Sequence, residues 1–147
     1  MSKFKNLIAG LAGAAALNIL HESLKKKGSD MPRVDLLGEE ALQKTINYFG
    51  GNIDHDKTLY EATLAGDIIG NTIYYSLIGI GNAKYLWPKV AMMGLSAGIG
   101  AITLPKPMGL DQEPVAKNDQ VKILTVGYYL AGAVVTGLVL NMLKNKG

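Results

Sequence analysis

The feature that most constrains the fold is the stretch "ILTVGYYLAGAVVTGLVLNML", which runs from Ile123 to Leu143 without a charged side chain. A helix needs about 20 mostly apolar residues to cross the hydrocarbon core of a bilayer, and this stretch is long enough. Of the 147 residues, 48% are hydrophobic and only 18% are charged. The mean hydropathy of +0.16 is high for a chain of this length. The sequence therefore predicts one membrane domain, covering residues 1–147.

Three further segments resemble membrane helices, although they are shorter or carry charges. Pro88 suits the first helical turn of one of them, where its missing N–H is no loss. Between the first two segments, Asp35 is expected to cap a short helix with an apolar stripe. The predicted fold is an all-α bundle of four transmembrane helices, at about 5–23, 59–81, 87–104 and 122–143, with one amphipathic interfacial helix at about 35–49. The connection before the last helix should be a proline-containing turn followed by an exposed loop.

The first helix also imitates a secretory signal, since Lys3 and Lys5 precede an apolar stretch that ends in small residues. The sequence begins at Met1, so we expect the segment to remain as a helix. Four spans place both termini on one side of the membrane. Nine of the 15 Lys and Arg residues then fall on the side of the long loops. Because positive residues prefer the cytoplasm, this count favours cytoplasmic long loops.

Composition excludes several classes of site. The chain has no cysteine, which rules out disulfides, thiolate zinc sites and thiol nucleophiles, and its 2 histidines are too few for a metal cage. The lysines flank apolar segments instead of forming one stripe, so nucleic-acid binding is not expected despite a net charge of +3. The letters "GLSAG" (94–98) fit a serine nucleophile elbow, but no histidine follows His55. We therefore expect no catalytic residue, no metal and no cofactor.

A polar face on the second predicted span needs an explanation. Thr63, Asp67, Asn71 and Tyr74 share one helical face, with Tyr75 beside it. A charged side chain in the bilayer is costly and should face protein or water. One interpretation is an intramembrane site, such as a proton carrier, an ion pathway or a ligand pocket. The other is a structural network that holds the helices in register.

A second group of polar residues lies where the first span ends. Asn18, His21 and Glu22 share a face there, and Arg33 and Asp35 follow in the loop. Arg33 is expected to pair with a carboxylate outside the bilayer core, the candidates being Asp35, Glu22 and Glu61. Asp67 should instead be held by Asn71, a tyrosine hydroxyl, water or its own proton. The group is either a helix-end site or an interfacial helix end with snorkelling side chains.

Small residues recur at a spacing of four, which permits close approach of helix backbones in lipid. The pairs are Ala9 and Gly13, Gly66 and Gly70, and Gly94 and Gly98. The pattern predicts a tight bundle, or a homo-oligomer formed through Gly66, Gly70, Gly94 and Gly98.

Three stretches, "LHESLKKKGSDMPRVDLLGEEAL", "TLAGDIIGNTIYYSL" and "GAITLPKPMGL", resemble a family of small, uncharacterised polytopic membrane proteins of bacteria. The last also resembles the proline-containing turn of the YagU-like inner-membrane proteins. The stretches cover about a third of the chain. The residues that carry the resemblance are His21, Glu22, Pro32, Arg33, Asp35, Gly38, Asp67, Asn71, Tyr75, Pro105, Pro107, Gly109 and Leu110. The resemblance implies a multi-pass protein of the bacterial inner membrane and implies no activity.

Two functions remain open at this stage. The first is a non-enzymatic channel or transport-related component whose polar face around Asp67 lines a pathway or pocket. The alternative is a structural or accessory subunit that docks a protein partner. A lipid-modifying enzyme is the third hypothesis, because the sequence shows no convincing pair of nucleophile and base.

Overall fold

The computed structural model describes residues 2–145, which are helical and contain no strand. This confirms the predicted all-α class. Two short 3-10 turns, Leu77–Gly79 and Ala83–Tyr85, connect the third helix to the fourth. The helices are α1 (Lys3–Leu24), α2 (Val34–Tyr48), α3 (Asp56–Ser76), α4 (Leu86–Thr103), α5 (Glu113–Ala116) and α6 (Asp119–Asn145).

The four long helices pack side by side in the order α3, α1, α6, α4. α1 packs extensively against both α3 and α6, and α6 also packs against α4. Successive long helices run in opposite directions, and Lys5 near the start of α1 donates a hydrogen bond to the carbonyl of Leu143 near the end of α6. The buried core lies along these contacts and includes Leu17, Tyr75, Ile78, Tyr128 and Leu140. α3 and α4 therefore flank a central pair, and a cleft opens between them.

Glycines allow the central helices to approach closely. A Cβ on Gly13 of α1 would collide with Thr136 and the backbone of α6, and one on Gly98 of α4 would lie 2.6 Å from Val126 Cα. Gly94 also packs against α6, so two of the four glycines predicted for an oligomer are used within the chain. Gly66 and Gly70 differ, because a Cβ on either would meet open space.

Two of the helices in residues 2–145 are long and apolar enough to cross a membrane, α1 and α6. α3 carries charged residues and α4 is the shortest of the four long helices. Large apolar side chains are nevertheless exposed on all four, among them Ile19 on α1, Ile69 and Ile73 on α3, Met92 and Ile99 on α4, and Ile123 and Met142 on α6.

α2 lies across the end of the bundle at which α1 ends and α3 begins. The backbone N–H of Arg33 donates to Pro114 O (2.8 Å), and Asn118 donates to Asp30 (2.9 Å). These bonds join the segment before α2 to the segment before α6.

Two predictions about this end are wrong. Asp35 does not cap α2: Arg33 occupies the cap position, and Asp35 in the first turn is drawn inward by neighbouring cations. The predicted exposed loop before α6 instead contains the short helix α5, because Val115 is fully buried in the bundle.

Candidate functional site

A small cavity lies between α1, α2 and α3, and it brings the two predicted polar groups together. Asn18, His21, Glu22 and Asp35 line it from the helix-end group, and Thr63, Asp67 and Asn71 line it from the intramembrane group. The cavity measures about 20 Å³, which is room for about one water molecule. From the sequence, these were two separate groups of residues. The structure shows that they line one cavity.

Arg33 and Asp35 form a bidentate pair at the outer end of this cavity. Nε of Arg33 donates to Asp35 Oδ1 (2.9 Å) and its terminal nitrogen donates to Oδ2 (2.8 Å). Asp35 was one of the partners expected for Arg33 from the sequence. Lys25 completes the cluster, with its Nζ 2.8 Å from Glu22 and 3.6 Å from Asp35. The charged groups of this cluster are therefore paired.

His21 is buried between these carboxylates, with 4% of its surface exposed. Its Nε2 lies 3.3 Å from Asp35 Oδ1, and its Nδ1 lies 3.6 Å from Glu22 Oε1. The Nε2 atom is not oriented for a hydrogen bond to any group in the described part of the chain, so its contact with Asp35 is electrostatic. The imidazole packs edge-on against Tyr128 of α6.

The sequence analysis did not identify two residues of this site, Lys25 and Tyr60. The hydroxyl of Tyr60 donates to Glu22 (2.5 Å), and the Lys25 ammonium lies over the Tyr60 ring, 4.7 Å from the centroid. A signal was present, because Tyr60 stands two helical turns before Asp67 on the polar face of α3.

The electrostatics of the cluster follow from this geometry. Burial alone would raise the pKa of Asp35, but the close approach of His21 and the hydrogen bonds and charge of Arg33 hold that pKa well below its usual range. The hydrogen bonds from Arg33 to Asp35 raise the pKa of the guanidinium. Burial and the nearby charge of Asp35 raise the pKa of Glu39. Asp35 is therefore a permanent anion at neutral pH.

Asp67 lies at the inner end of the cavity and is in a different situation. It forms no hydrogen bond or ion pair with any residue in the range 2–145, so the expected bonds to Asn71 and to a tyrosine are absent. The reason is that Tyr74 donates to Met93 O and Tyr75 to Tyr129 O, both at 2.8 Å. Gly38 of α2 covers the carboxylate, and a Cβ there would lie 3.5 Å from both of its oxygens.

A second, larger cavity reaches Asp67 from the other side. It is a cleft of about 480 Å³ between α2, α3, α4 and the turn after α4. Asp67 is the one charged residue among those that line it, as far as the structure describes the chain. The other residues of its wall are Val34, Leu37, Gly38, Ala41, Asn71, Tyr74, Ser96, Ala97, Gly100, Ala101, Leu104, Pro105, Met108, Leu110 and Tyr129.

The arrangement suits binding and release of a proton better than metal binding. Residues 2–145 contain no group of three His, Asp or Glu side chains placed to hold a metal ion. Asp67 instead has a water-sized cavity on one side and an apolar cleft on the other. A carboxylate in that position can accept a proton from water on one side without losing an existing partner.

Comparison with protein-family models, with curated proteins and with solved structures found no match to this chain. The assignment of its role therefore depends on the geometry of the site.

Proposed function

We propose that this chain is a multi-pass protein of the bacterial inner membrane, and that α1, α3, α4 and α6 all cross the bilayer. The exposed apolar side chains support this, because Ile69 on α3 is 61% exposed and Met92 on α4 is also 61% exposed. Apolar surface spread over four helices is unfavourable in water and favourable in lipid. Thr63, Asp67 and Asn71 of α3 turn toward α1 and α2, as a lipid environment requires.

Topology can be tested directly because the chain has no cysteine. Asp54→Cys places a thiol between α2 and α3, and Asn82→Cys places one between α3 and α4. In intact cells, an impermeant maleimide should label one variant, and the other should react only after the membrane is opened. Labelling of both from the same side, or a protein that stays soluble without detergent, would contradict the four-span arrangement.

We further propose that the protein is a transport-related component in which Asp67 binds and releases a proton between the water-sized cavity and the apolar cleft. The observation that carries the proposal is that Asp67 lines both cavities and has no partner among residues 2–145. A buried carboxylate without a partner is costly, and intramembrane carboxylates commonly mark proton or ion pathways. The ion pairs at the outer end of the water-sized cavity, among them Arg33–Asp35, make its wall polar.

Reconstitution into liposomes tests this function. With an imposed pH gradient, vesicles that contain the protein should take up protons faster than empty vesicles. Asp67→Asn removes the exchangeable proton at nearly constant volume and should reduce the rate to that of empty vesicles. Asp54→Asn is the matched control, because Asp54 is exposed in a loop, and it should leave the rate unchanged. Equal rates for wild type and Asp67→Asn would refute the proposal.

The open face of α3 favours a second role, in which copies of the chain associate as part of a membrane assembly. Gly66 and Gly70 face outward with open space beside them, and Ile69 and Ile73 are exposed next to them. Such a surface permits close packing of a second helix in lipid. Ile69→Cys should form an oxidative cross-link between copies, and Ile99→Cys on α4 should not. Equal cross-linking of the two variants would contradict this interface.

A further inference from the structure

A third cavity lies at the opposite end of the bundle, where α1 and α4 begin and α6 ends. It measures about 310 Å³ and is partly open. Three of its lining residues are lysines, Lys5, Lys89 and Lys144, and none of those in the described chain is acidic. Its walls are apolar and include Ile78, Leu86 and Leu140. The cavity therefore combines three positive charges from three helices with a hydrophobic lining.

The three lysines retain hydrogen-bond donors that the described residues do not use. Lys5 donates one hydrogen bond to Leu143 O (3.3 Å) and Lys89 donates one to Ile80 O (2.6 Å). An ammonium group carries three donors, so each retains two. Lys144 makes no hydrogen bond or ion pair within residues 2–145. Three cations brought to one cavity repel one another unless an anion joins them.

In the proposed four-span arrangement, this cavity lies at the level of the lipid headgroups. Phe4, Tyr85 and Trp87, at the same end of the bundle, are 72%, 51% and 46% exposed. Exposed aromatic side chains beside lysines are typical of the membrane–water interface. A ligand bound here would have its anionic part among the lysines and an apolar part along the walls.

We propose that this cavity, which we call the lysine cavity, binds the phosphate group of an anionic phospholipid. The ammonium groups of Lys5, Lys89 and Lys144 bind the phosphate oxygens, and the acyl chains extend along the exposed apolar surface of the bundle. Basic pockets between membrane helices bind anionic headgroups in this manner. The proposal rests on the membrane location and is independent of any role of Asp67.

The proposal can be tested with nanodiscs that contain equal amounts of phosphatidylglycerol and phosphatidylcholine. Native mass spectrometry of the released protein measures which lipid stays bound. Each lysine near an anionic headgroup contributes roughly a fivefold preference, so three that act independently should give roughly a hundredfold preference for phosphatidylglycerol. The variant with Lys5, Lys89 and Lys144 all replaced by Gln should lose that preference. A matched variant with Lys26, Lys27 and Lys57 replaced by Gln at the other end should retain it. Equal retention of both lipids by the wild type, or equal losses in the two variants, would overturn the proposal.

Two further experiments separate lipid binding from a loss of stability and from binding of free phosphate. Lys5 and Lys89 bind helix-end carbonyls, so the triple variant can lose stability for that reason. Lys144→Glu leaves those bonds intact and should reduce the lipid preference at least about fivefold; an unchanged preference would count against the site. Inorganic phosphate should not raise the unfolding temperature of the detergent-solubilised protein as much as phosphatidylglycerol does. An equal rise would show a site for free phosphate and refute the lipid assignment.

Discussion

Each end of the small polar cavity contains an aspartate carboxylate, but only the one at the outer end has charged partners in the described residues. Asp35 is almost fully buried and binds Arg33 in bidentate geometry, with His21 and Lys25 within 4 Å. Asp67 is partly buried and has no such partner in the described residues. A buried charge with partners holds helices together, whereas one without partners costs free energy. The comparison indicates that Asp35 stabilises the fold, and it supports the proposed role of Asp67 in binding and releasing a proton.

Removing the charge of Asp35 should have the largest effect on stability. Asp35→Asn leaves Lys25, Arg33 and the buried His21 with less negative charge, and the expected loss is about 3 kcal/mol in the free energy of unfolding. Unfolding by sodium dodecyl sulfate in mixed micelles measures it. Glu61→Gln is the control, because the Lys57–Glu61 pair is exposed and 3.9 Å apart, and it should cost at most about 0.5 kcal/mol. Similar losses in both would show that the buried cluster has no special role.

Adding a methyl group at Gly38, which lies between Asp35 and Asp67, should have the next largest effect on stability. A Cβ at Gly38 would lie 2.7 Å from Thr63 Cγ2, so Gly38→Ala must turn the buried Thr63 side chain or push α2 away from α3. Overpacking of this kind costs about 2 kcal/mol, and a shift of α2 would also expose Asp67. Gly28→Ala meets no neighbouring atom and should change the free energy of unfolding by less than about 0.5 kcal/mol. A Gly38→Ala variant as stable as the wild type would contradict a tight, rigid contact between α2 and α3 here.

Acidification should act on Asp35 through its pKa. The folded-state pKa of Asp35 lies well below its usual range, so its contribution to stability is complete above about pH 5 and falls as pH decreases toward the folded value. Between pH 6 and pH 3, the expected loss from this group is about 1 kcal/mol. Denaturant unfolding at both pH values should show that loss in the wild type and a smaller one in Asp35→Asn. The same pH dependence in both proteins would contradict the assignment.

Neutralising Asp67 should have the smallest effect on stability, and it should stabilise the protein, whereas the other changes destabilise it. Asp67→Asn removes an unpartnered charge at nearly constant volume, so the free energy of unfolding should rise by up to about 1 kcal/mol. The same variant should abolish proton uptake. A loss of stability comparable to that of Asp35→Asn would make Asp67 a structural residue and end the contrast between the two carboxylates.

The helices themselves could be predicted from local patterns. The uncharged stretch from Ile123 to Leu143 lies inside α6, and the apolar stripe predicted at 35–49 corresponds to α2 at Val34–Tyr48. These features depend on residues close together in the sequence. The short helix α5 was missed because the burial of Val115 depends on α6 and the rest of the bundle.

Most residues of the candidate site could be predicted from the sequence, Lys25 and Tyr60 excepted, but their arrangement could not. Helical spacing identified the polar face of α3, and the chemistry of arginine identified the pair with Asp35. The packing of Gly38 against Asp67 joins helices that are distant in the sequence, and no periodic pattern encodes it. The absence of a bond between Asp67 and a tyrosine depends on carbonyls of α4 and α6 that capture the hydroxyls.

The bonds between the segments before α2 and before α6 have a consequence for biosynthesis. Asn118 and Gln120 hold Asp30 from 88 and 90 residues further along the chain, and Pro114 accepts the N–H of Arg33. While the ribosome is still making the second half, α2 lacks these bonds to the segment before α6, and only its contacts with α1 and α3 through Asp35 and Gly38 can hold it. The last helix therefore completes the end of the bundle that covers Asp67. In the proposed four-span arrangement, an incomplete chain would cover this carboxylate less firmly than the finished protein does.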